Sequence, residues 1–321
     1  MNKKDFKIIF MGTPEFAVES LKALTDSNFN ITAVVTNPDK PAGRGRKISE
    51  SPVKQFAKKK GFKILQPNNL REKTFIEELN SLKPDLQVVV AFKILPPEVF
   101  TIPKKGTFNL HASLLPDYRG AAPINHAIIN GEKKTGVTTF FLDEKVDTGK
   151  IINQKAVVIS KEDTAGSLHD KLMKKGSKLV VESTEKIMRN QYKTVDQKQL
   201  LNDKTKVKKA PKIFKKDCQI NWQKPVNEVH NFIRGLSPHP AAWTKLINTE
   251  TYSAKIYAGY PEKSTFSETP GSIITDSKKR LKVACQNGYL HIQEIQIAGK
   301  KRMKTEEFLR GFQKISEYRF E

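Results

Sequence analysis

From Lys7 to His111 one pattern recurs: a short apolar run, a turn, and then a segment with helical periodicity. Lys7 to Met11 reads as a buried strand. Gly12-Thr13-Pro14-Glu15 then turns the chain, with Thr13 expected as helix N-cap and Pro14 as first residue of a helix reaching about Thr25. Ile31 to Thr36 repeats the strand signal, Ser51-Pro52 opens another helix, and Leu86 to Ala91 is the β-branched run of a central parallel strand. Gly106 to His111 and a helix from Pro123 to Asn130 continue the series. Such alternation folds as a Rossmann-like, open, mostly parallel α/β sheet with right-handed crossovers, and ligands sit at the carboxyl ends of its strands. The first strand is followed by the single Gly12 rather than G-x-G-x-x-G, which argues against a dinucleotide cofactor.

The chain has 321 residues, enough for two domains. An amphipathic helix is expected from near Thr164 toward Met188, followed by a polar, Lys-rich stretch without periodicity to about Pro211. From Lys212 onward short strands are expected at Tyr252 to Ala258, Gly271 to Thr275, Arg280 to Cys285 and Tyr289 to Ile297, in keeping with a small β-barrel. The expected division is therefore a catalytic domain over 1–190, a basic linker over 191–211 and a smaller barrel over 212–321.

Lys plus Arg number 57 against 34 Asp plus Glu, a formal charge of +23, so a polyanion is the first partner to consider. The charge is clustered: Lys40, Arg44, Arg46, Lys47, Lys54, Lys58, Lys59 and Lys60 form one group, Lys204 to Lys216 a second, and Lys300-Lys301-Arg302 with Lys304 a third. Cys218 and Cys285 stand far apart, without the spacing of a disulfide framework or a zinc site. The apolar run Ile8 to Met11 is too short for a signal peptide or a membrane span, so a cytoplasmic protein is expected.

The chemistry concentrates at Phe108-Asn109-Leu110-His111, where strand alternation sends Asn109 and His111 to the same face. A turn-rich segment from Ala112 through Pro123 follows, and further on Asp143-Glu144-Lys145-Val146-Asp147-Thr148-Gly149 forms an acidic loop. Asn, His and Asp suit acyl transfer: amide and imidazole donors hold a developing oxyanion, and the carboxylate stabilises the imidazolium or relays a proton. The bland alternative is a structural strand histidine beside an ordinary Asp-x-Gly turn. Trp222 and Trp243 read as core residues, and His126, His169, His230, His239 and His291 lack ligand spacing.

Asn109 to Pro116 followed by Val146-Asp147-Thr148-Gly149 resembles the signature of the formyltetrahydrofolate-dependent transferases. Within that superfamily, Met11 to Ala17, Pro41-Ala42-Gly43-Arg44-Gly45, Ser51-Pro52-Val53-Lys54 and Arg119-Gly120-Ala121-Ala122-Pro123 resemble the methionyl-tRNA formyltransferase family across the whole chain. The resemblance implies 10-formyltetrahydrofolate as formyl donor, initiator Met-tRNA as acceptor, and a C-terminal OB-like barrel that holds tRNA; because the donor's formyl group is already activated and an imidazolium can assist, no metal is expected, and no obligate protein partner is evident. It places catalysis on Asn109, His111 and Asp147, and folate binding on Ser113, Leu114, Leu115 and Pro116. Phe92, Lys93, Ile94 and Leu95 would form the pterin-pocket wall, and Asp143 is counted with the folate contacts. Many members carry a longer Ala-Tyr-Gly-Leu-Ile-Leu-Pro stretch where this chain has Ala91 to Pro96. Expected tRNA contacts are Lys40, Arg44, Arg46, Lys47, Lys208, Lys209 and Lys212. A small-amine acceptor and a non-catalytic RNA-binding protein on the same fold remain as rivals.

Overall fold

In the computed structural model, which describes residues 2–42, 47–201, 206–265, 267–312 and 314–321, Ile8 to Met11 are wholly buried in β1 (Lys7–Gly12). Burial on both faces explains why this stretch is a continuous apolar run rather than an alternating one. Gly12 closes the strand where a Cβ would stand 2.6 Å from the Ala17 Cβ and 2.9 Å from the Val90 carbonyl oxygen. The lone glycine thus serves close packing of strand and helix. The following helix α1 (Glu15–Asp26) starts one residue later than the sequence suggests: Pro14 is its N-cap, and the Thr13 hydroxyl caps nothing. Pro14 has extended backbone angles there, so the chain turns into the helix after the proline rather than at it.

The first unit comprises Met1–Gly120, Lys134–Val158 and His169–Lys209. After β2 (Asn30–Val35) come the small hairpin β3 (Lys40–Ala42) and β4 (Lys47–Ser49), then α2 (Pro52–Lys59), β5 (Ile64–Leu65) and α3 (Lys73–Ser81). Ser51 caps α2 as expected, accepting the Lys54 N–H at 3.1 Å. The series continues with β6 (Leu86–Val90), α4 (Pro97–Phe100) and β7 (Thr107–His111). Beyond α5 (Pro123–Ile129), which belongs to the second unit, follow β8 (Lys134–Phe141), β9 (Ile151–Val158) and α6 (Ala165–Met188). The sheet runs β5-β2-β1-β6-β7-β8-β9, parallel up to β7 and antiparallel after it. β7 is therefore the strand at which pairing changes sense.

The second unit gathers Ala121–Lys133, Ile159–Leu168 and Ala210–Glu321. Its strands after α7 (Val226–Leu236) are β10 (Ala242–Ile247), β11 (Thr251–Lys263), β12 (Ile273–Thr275), β13 (Leu281–Cys285), β14 (Gly288–Ile297) and β15 (Met303–Lys304), followed by α8 (Thr305–Gly311) and β16 (Arg319–Phe320). They pair antiparallel in the order β12-β13-β14-β11-β10-β16, and an isolated bridge between Ser272 and Arg319 nearly closes the sheet into a barrel. Trp222 lies in the barrel core, stacked on Phe320 and donating to the Thr244 hydroxyl at 3.0 Å. Trp243 is partly buried against the same core. In this unit α5 packs on α7, where Gly235 leaves room for the Ile129 side chain. Arg234, almost wholly buried, donates to the Asp163 carbonyl at 2.9 Å. Among the described residues no helix is long and apolar enough to cross a membrane.

Candidate active site

Leu110 turns to the face of the sheet covered by α6, where Gly176 leaves it room. Its neighbours Asn109 and His111 therefore emerge on the opposite face. His111 is buried, and its Nε2 lies 2.8 Å from the carbonyl oxygen of Tyr118. A carbonyl can only accept, so Nε2 carries hydrogen and Nδ1 is the nitrogen that gains or loses a proton. Nδ1 faces Asp147 Oδ2 at 3.8 Å. That same Oδ2 accepts the Gly120 N–H at 3.0 Å. The half-buried Asn109 carboxamide makes no hydrogen bond among the described residues, which leaves both its donor and its acceptor for a ligand.

Two loops hold this arrangement, and both are bent at the residue that meets His111. Tyr118 has φ 61° and Asp147 φ 56°, left-handed conformations that cost a non-glycine residue about 1–3 kcal/mol each. Gly149 lets the second loop lie flat on β8, since a Cβ there would fall 1.7 Å from the Phe141 carbonyl oxygen. Within that loop Asp143 accepts from the Thr148 hydroxyl at 2.7 Å and from the Lys145 N–H at 3.1 Å. Asp143 is exposed and shapes its own loop by these bonds.

The folate candidates separate by environment. The Ser113 hydroxyl is buried and donates to the Asp117 carbonyl at 2.6 Å, and Leu115 packs with Phe140 and Ile151. Their side chains build the loop, while Leu114 and Pro116 are half-buried. Lys93, Ile94 and Leu95 line a cleft of about 500 Å³ with Leu70, Pro96 and Glu144. Ile94 leaves 76% of its surface exposed there, and Phe92 is packed against the core behind it. Exposed apolar surface beside a cleft is a common mark of a ligand site.

Of the cationic candidates, Arg44 and Arg46 lie outside the described residues. Lys40 is exposed at the start of β3, and Lys47 opens β4. The surrounding patch is less positive than a count of its lysines implies. Lys54 is paired with Asp39 and lies 3.5 Å from Glu50, which also pairs with Lys58. These contacts hold the Asp39 and Glu50 carboxyls below, and the Lys54 amine above, their ordinary values. In the first unit, the Lys208 N–H donates to Asp117 Oδ1 at 3.0 Å and its carbonyl accepts the Tyr118 N–H at 2.6 Å. Exposed Lys209 forms a parallel bridge with Arg119. In the second unit, Lys212 holds its amine 5.3 Å from the ring centroid of Phe214.

One participant is not visible in the sequence. Gln197, 1% exposed, donates to the carbonyls of Asp147 at 3.0 Å and Gly149 at 2.8 Å, and its own oxygen accepts from Arg119 Nε and Nη2. It lies in the polar linker, where its partners are too distant in the chain to leave a local pattern.

Residues 6–184 match the family model described as formyl transferase, and residues 212–313 match that of the formyl transferase C-terminal domain. The methionyl-tRNA formyltransferase of Bacteroides fragilis is 48% identical over 314 residues, 97% of each chain. That of Parabacteroides distasonis is 48% identical over 321 residues, 99% of each chain. Among solved structures, the fold is shared with the sugar 3N-formyl transferase WlaRD, determined with dTDP and 5-N-formyl-THF, at a TM-score of 0.64 and 24% identity over 92% of this chain and 99% of that one. It is also shared with HypX from Aquifex aeolicus in complex with tetrahydrofolic acid, at a TM-score of 0.64 and 17% identity over 96% of this chain and 47% of that one.

Proposed function

The chain belongs to the formyl transferase family, among its methionyl-tRNA formyltransferases, and on that premise we propose that it moves the formyl group of 10-formyltetrahydrofolate to the methionyl amino group of initiator Met-tRNA. The product is N-formylmethionyl-tRNA, the starting aminoacyl-tRNA of translation. The observation that carries the reading is the approach of the His111 Nδ1 to the Asp147 carboxylate, with Asn109, two residues before His111 on the same strand, leaving its amide unengaged among the described residues.

In the reaction the amine attacks the formyl carbon, and the carbonyl oxygen takes up negative charge in a tetrahedral intermediate. Asn109 donates to that oxygen through its amide, and His111 does so through a protonated Nδ1. Asp147 stabilises the imidazolium across the gap it keeps. Collapse breaks the bond from the formyl carbon to N10 of the folate. The attacking nitrogen gives up one proton and N10 receives one, so His111 and Asp147 need only pass a proton on, with no net gain.

The cleft at Lys93 to Leu95 and the loop at Ser113 to Pro116 are the proposed folate site, with Asp143 holding the loop that faces it. Lys40 and Lys47 on the hairpin strands, with Lys208, Lys209 and Lys212, are the proposed phosphate contacts, together with Arg44 and Arg46, which lie outside the described residues. A cytoplasmic location follows from the same reading, because the proposed acceptor, initiator Met-tRNA, is a substrate of translation.

The test is formyl transfer from 10-formyltetrahydrofolate to methionine-charged initiator tRNA, beside uncharged tRNA and a panel of free amines. Formylation of the charged tRNA alone supports the reading. Transfer to a free amino sugar would replace the acceptor, and binding of tRNA without transfer would replace the activity.

A further inference from the structure

The carboxamide of Gln197 uses its full hydrogen-bonding capacity on the two loops that make the site. Its amide nitrogen takes the carbonyls on either side of Thr148, and its oxygen takes the guanidinium of Arg119, the residue between Tyr118 and Gly120. Tyr118 supplies the carbonyl on His111, and Gly120 supplies the N–H on Asp147. The segment carrying Gln197 is itself fixed, because Val195 pairs with Ile151 on both of its backbone groups at 2.9 Å.

We infer that Gln197 is a positioning residue for formyl transfer, holding the left-handed turn at Asp147 so that its carboxylate faces His111. The inference rests on the reading of Asp147 given above. Among the described residues Asp147 makes no side-chain hydrogen bond within its own loop: its Oδ2 accepts the Gly120 N–H. The backbone carbonyl of Asp147 is anchored by Gln197, so the turn depends on a side chain 50 residues further along the chain. Among the described residues Gln197 makes no hydrogen bond to His111 or Asn109, and it acts through the two loops.

Gln197→Glu tests this in the full chain. The substitution keeps shape and the acceptor for Arg119, but sets a carboxylate against the carbonyls of Asp147 and Gly149. The expected result is a kcat for Met-tRNA formylation lower by roughly tenfold to a hundredfold, with KM for both substrates within about twofold. Asp147→Asn alone, and both substitutions together, complete a double-mutant cycle. If Gln197 acts through Asp147, Gln197→Glu removes little further activity once the carboxylate is gone. A general loss of structure would instead lower both backgrounds equally and depress the melting temperature. Should Gln197→Glu fail to fold, Arg119→Lys, which releases the Gln197 oxygen from its bidentate partner, is read in the same cycle.

Wild-type kcat in the Gln197 and Arg119 variants, or an effect that adds in full to Asp147→Asn, overturns the inference while leaving the catalytic reading intact. Wild-type kcat in Asp147→Asn overturns the catalytic reading and the inference together.

Discussion

Asp147 sets its Oδ2 3.8 Å from Nδ1 of His111, close enough for charge to be felt and too far for a direct hydrogen bond. In the proposed mechanism the carboxylate therefore acts on the imidazolium as a charge rather than as a fixed proton acceptor. Asp147→Asn keeps size and the Gly120 contact but removes that charge. Its kcat is expected to fall on the order of a hundredfold to a thousandfold with KM little changed, as steady-state formylation kinetics will show.

Asn109→Ala removes the donor proposed to hold the developing oxyanion. The loss is expected to be about a hundredfold in kcat, roughly 3 kcal/mol of transition-state stabilisation, and little in folate affinity. Binding of tetrahydrofolate by titration calorimetry, set beside kcat, separates the two.

Gly149→Ala places a methyl group against the Phe141 carbonyl, which is β-sheet backbone and cannot yield. The loop must lift, carrying Asp147 with it. A destabilisation of about 1–3 kcal/mol in urea unfolding and a fall in kcat are expected together. A variant that melts like the wild type and formylates at full rate would show that the loop has slack which its geometry denies.

Charge reversal at Lys209 or Lys212 should raise KM for tRNA while leaving kcat unchanged. Every phosphate that is no longer neutralised reduces the slope of log affinity against log salt by about one. Nitrocellulose binding at several salt concentrations reads this directly. An unchanged slope would remove that lysine from the proposed phosphate-binding set.

His230, on α7, has its pKa lowered from 6.5 to about 4 by burial and then by the charge of Arg234. The folded state thus holds a neutral imidazole where the unfolded chain holds a protonated one. Between those two values the unfolded state binds more protons, so stability is present above pH 6.5 and is lost as pH falls toward 4. Partial solvent access limits the effect to about 1–2 kcal/mol. Melting curves of His230→Gln should lose this acid slope, whereas an equally steep slope in the variant would assign it elsewhere.

The sequence reveals features set by neighbours along the chain and conceals those set across it. Leu86 to Val90 announces a central strand because burial on both faces demands an unbroken apolar run. Ser51 announces a cap because its partner is Lys54, three residues away. Thr13 misleads because the same Thr-Pro pair also fits a helix that begins after the proline. β9 escapes because Asn153, Gln154 and Lys155 interrupt its apolar signal, though β8 supplies its pairing. In the candidate site, Asn109 and His111 declare themselves by alternation on one strand. Gln197 does not, since its partners are Arg119, Asp147 and Gly149 and its surroundings read as a solvated linker. The charge count between Lys40 and Lys60 overstates the patch for a related reason: Asp39, just outside that window, neutralises Lys54.

The second unit is assembled from three separate stretches of chain, and its α5 comes from the middle of the sequence. Ile129 seats against Gly235, Asn125 donates to the Gly235 carbonyl, and Arg234 reaches the Asp163 carbonyl. A crossover placed in the linker would therefore split this unit rather than separate it whole. A chimera that borrows only the barrel from a relative must fit a foreign α7 against a resident α5 and a resident Asp163 turn. Transplanting all three stretches keeps those pairings together. Recombination that respects this boundary has to act at several points of the gene at once, which favours gradual divergence of the unit over its replacement in a single step.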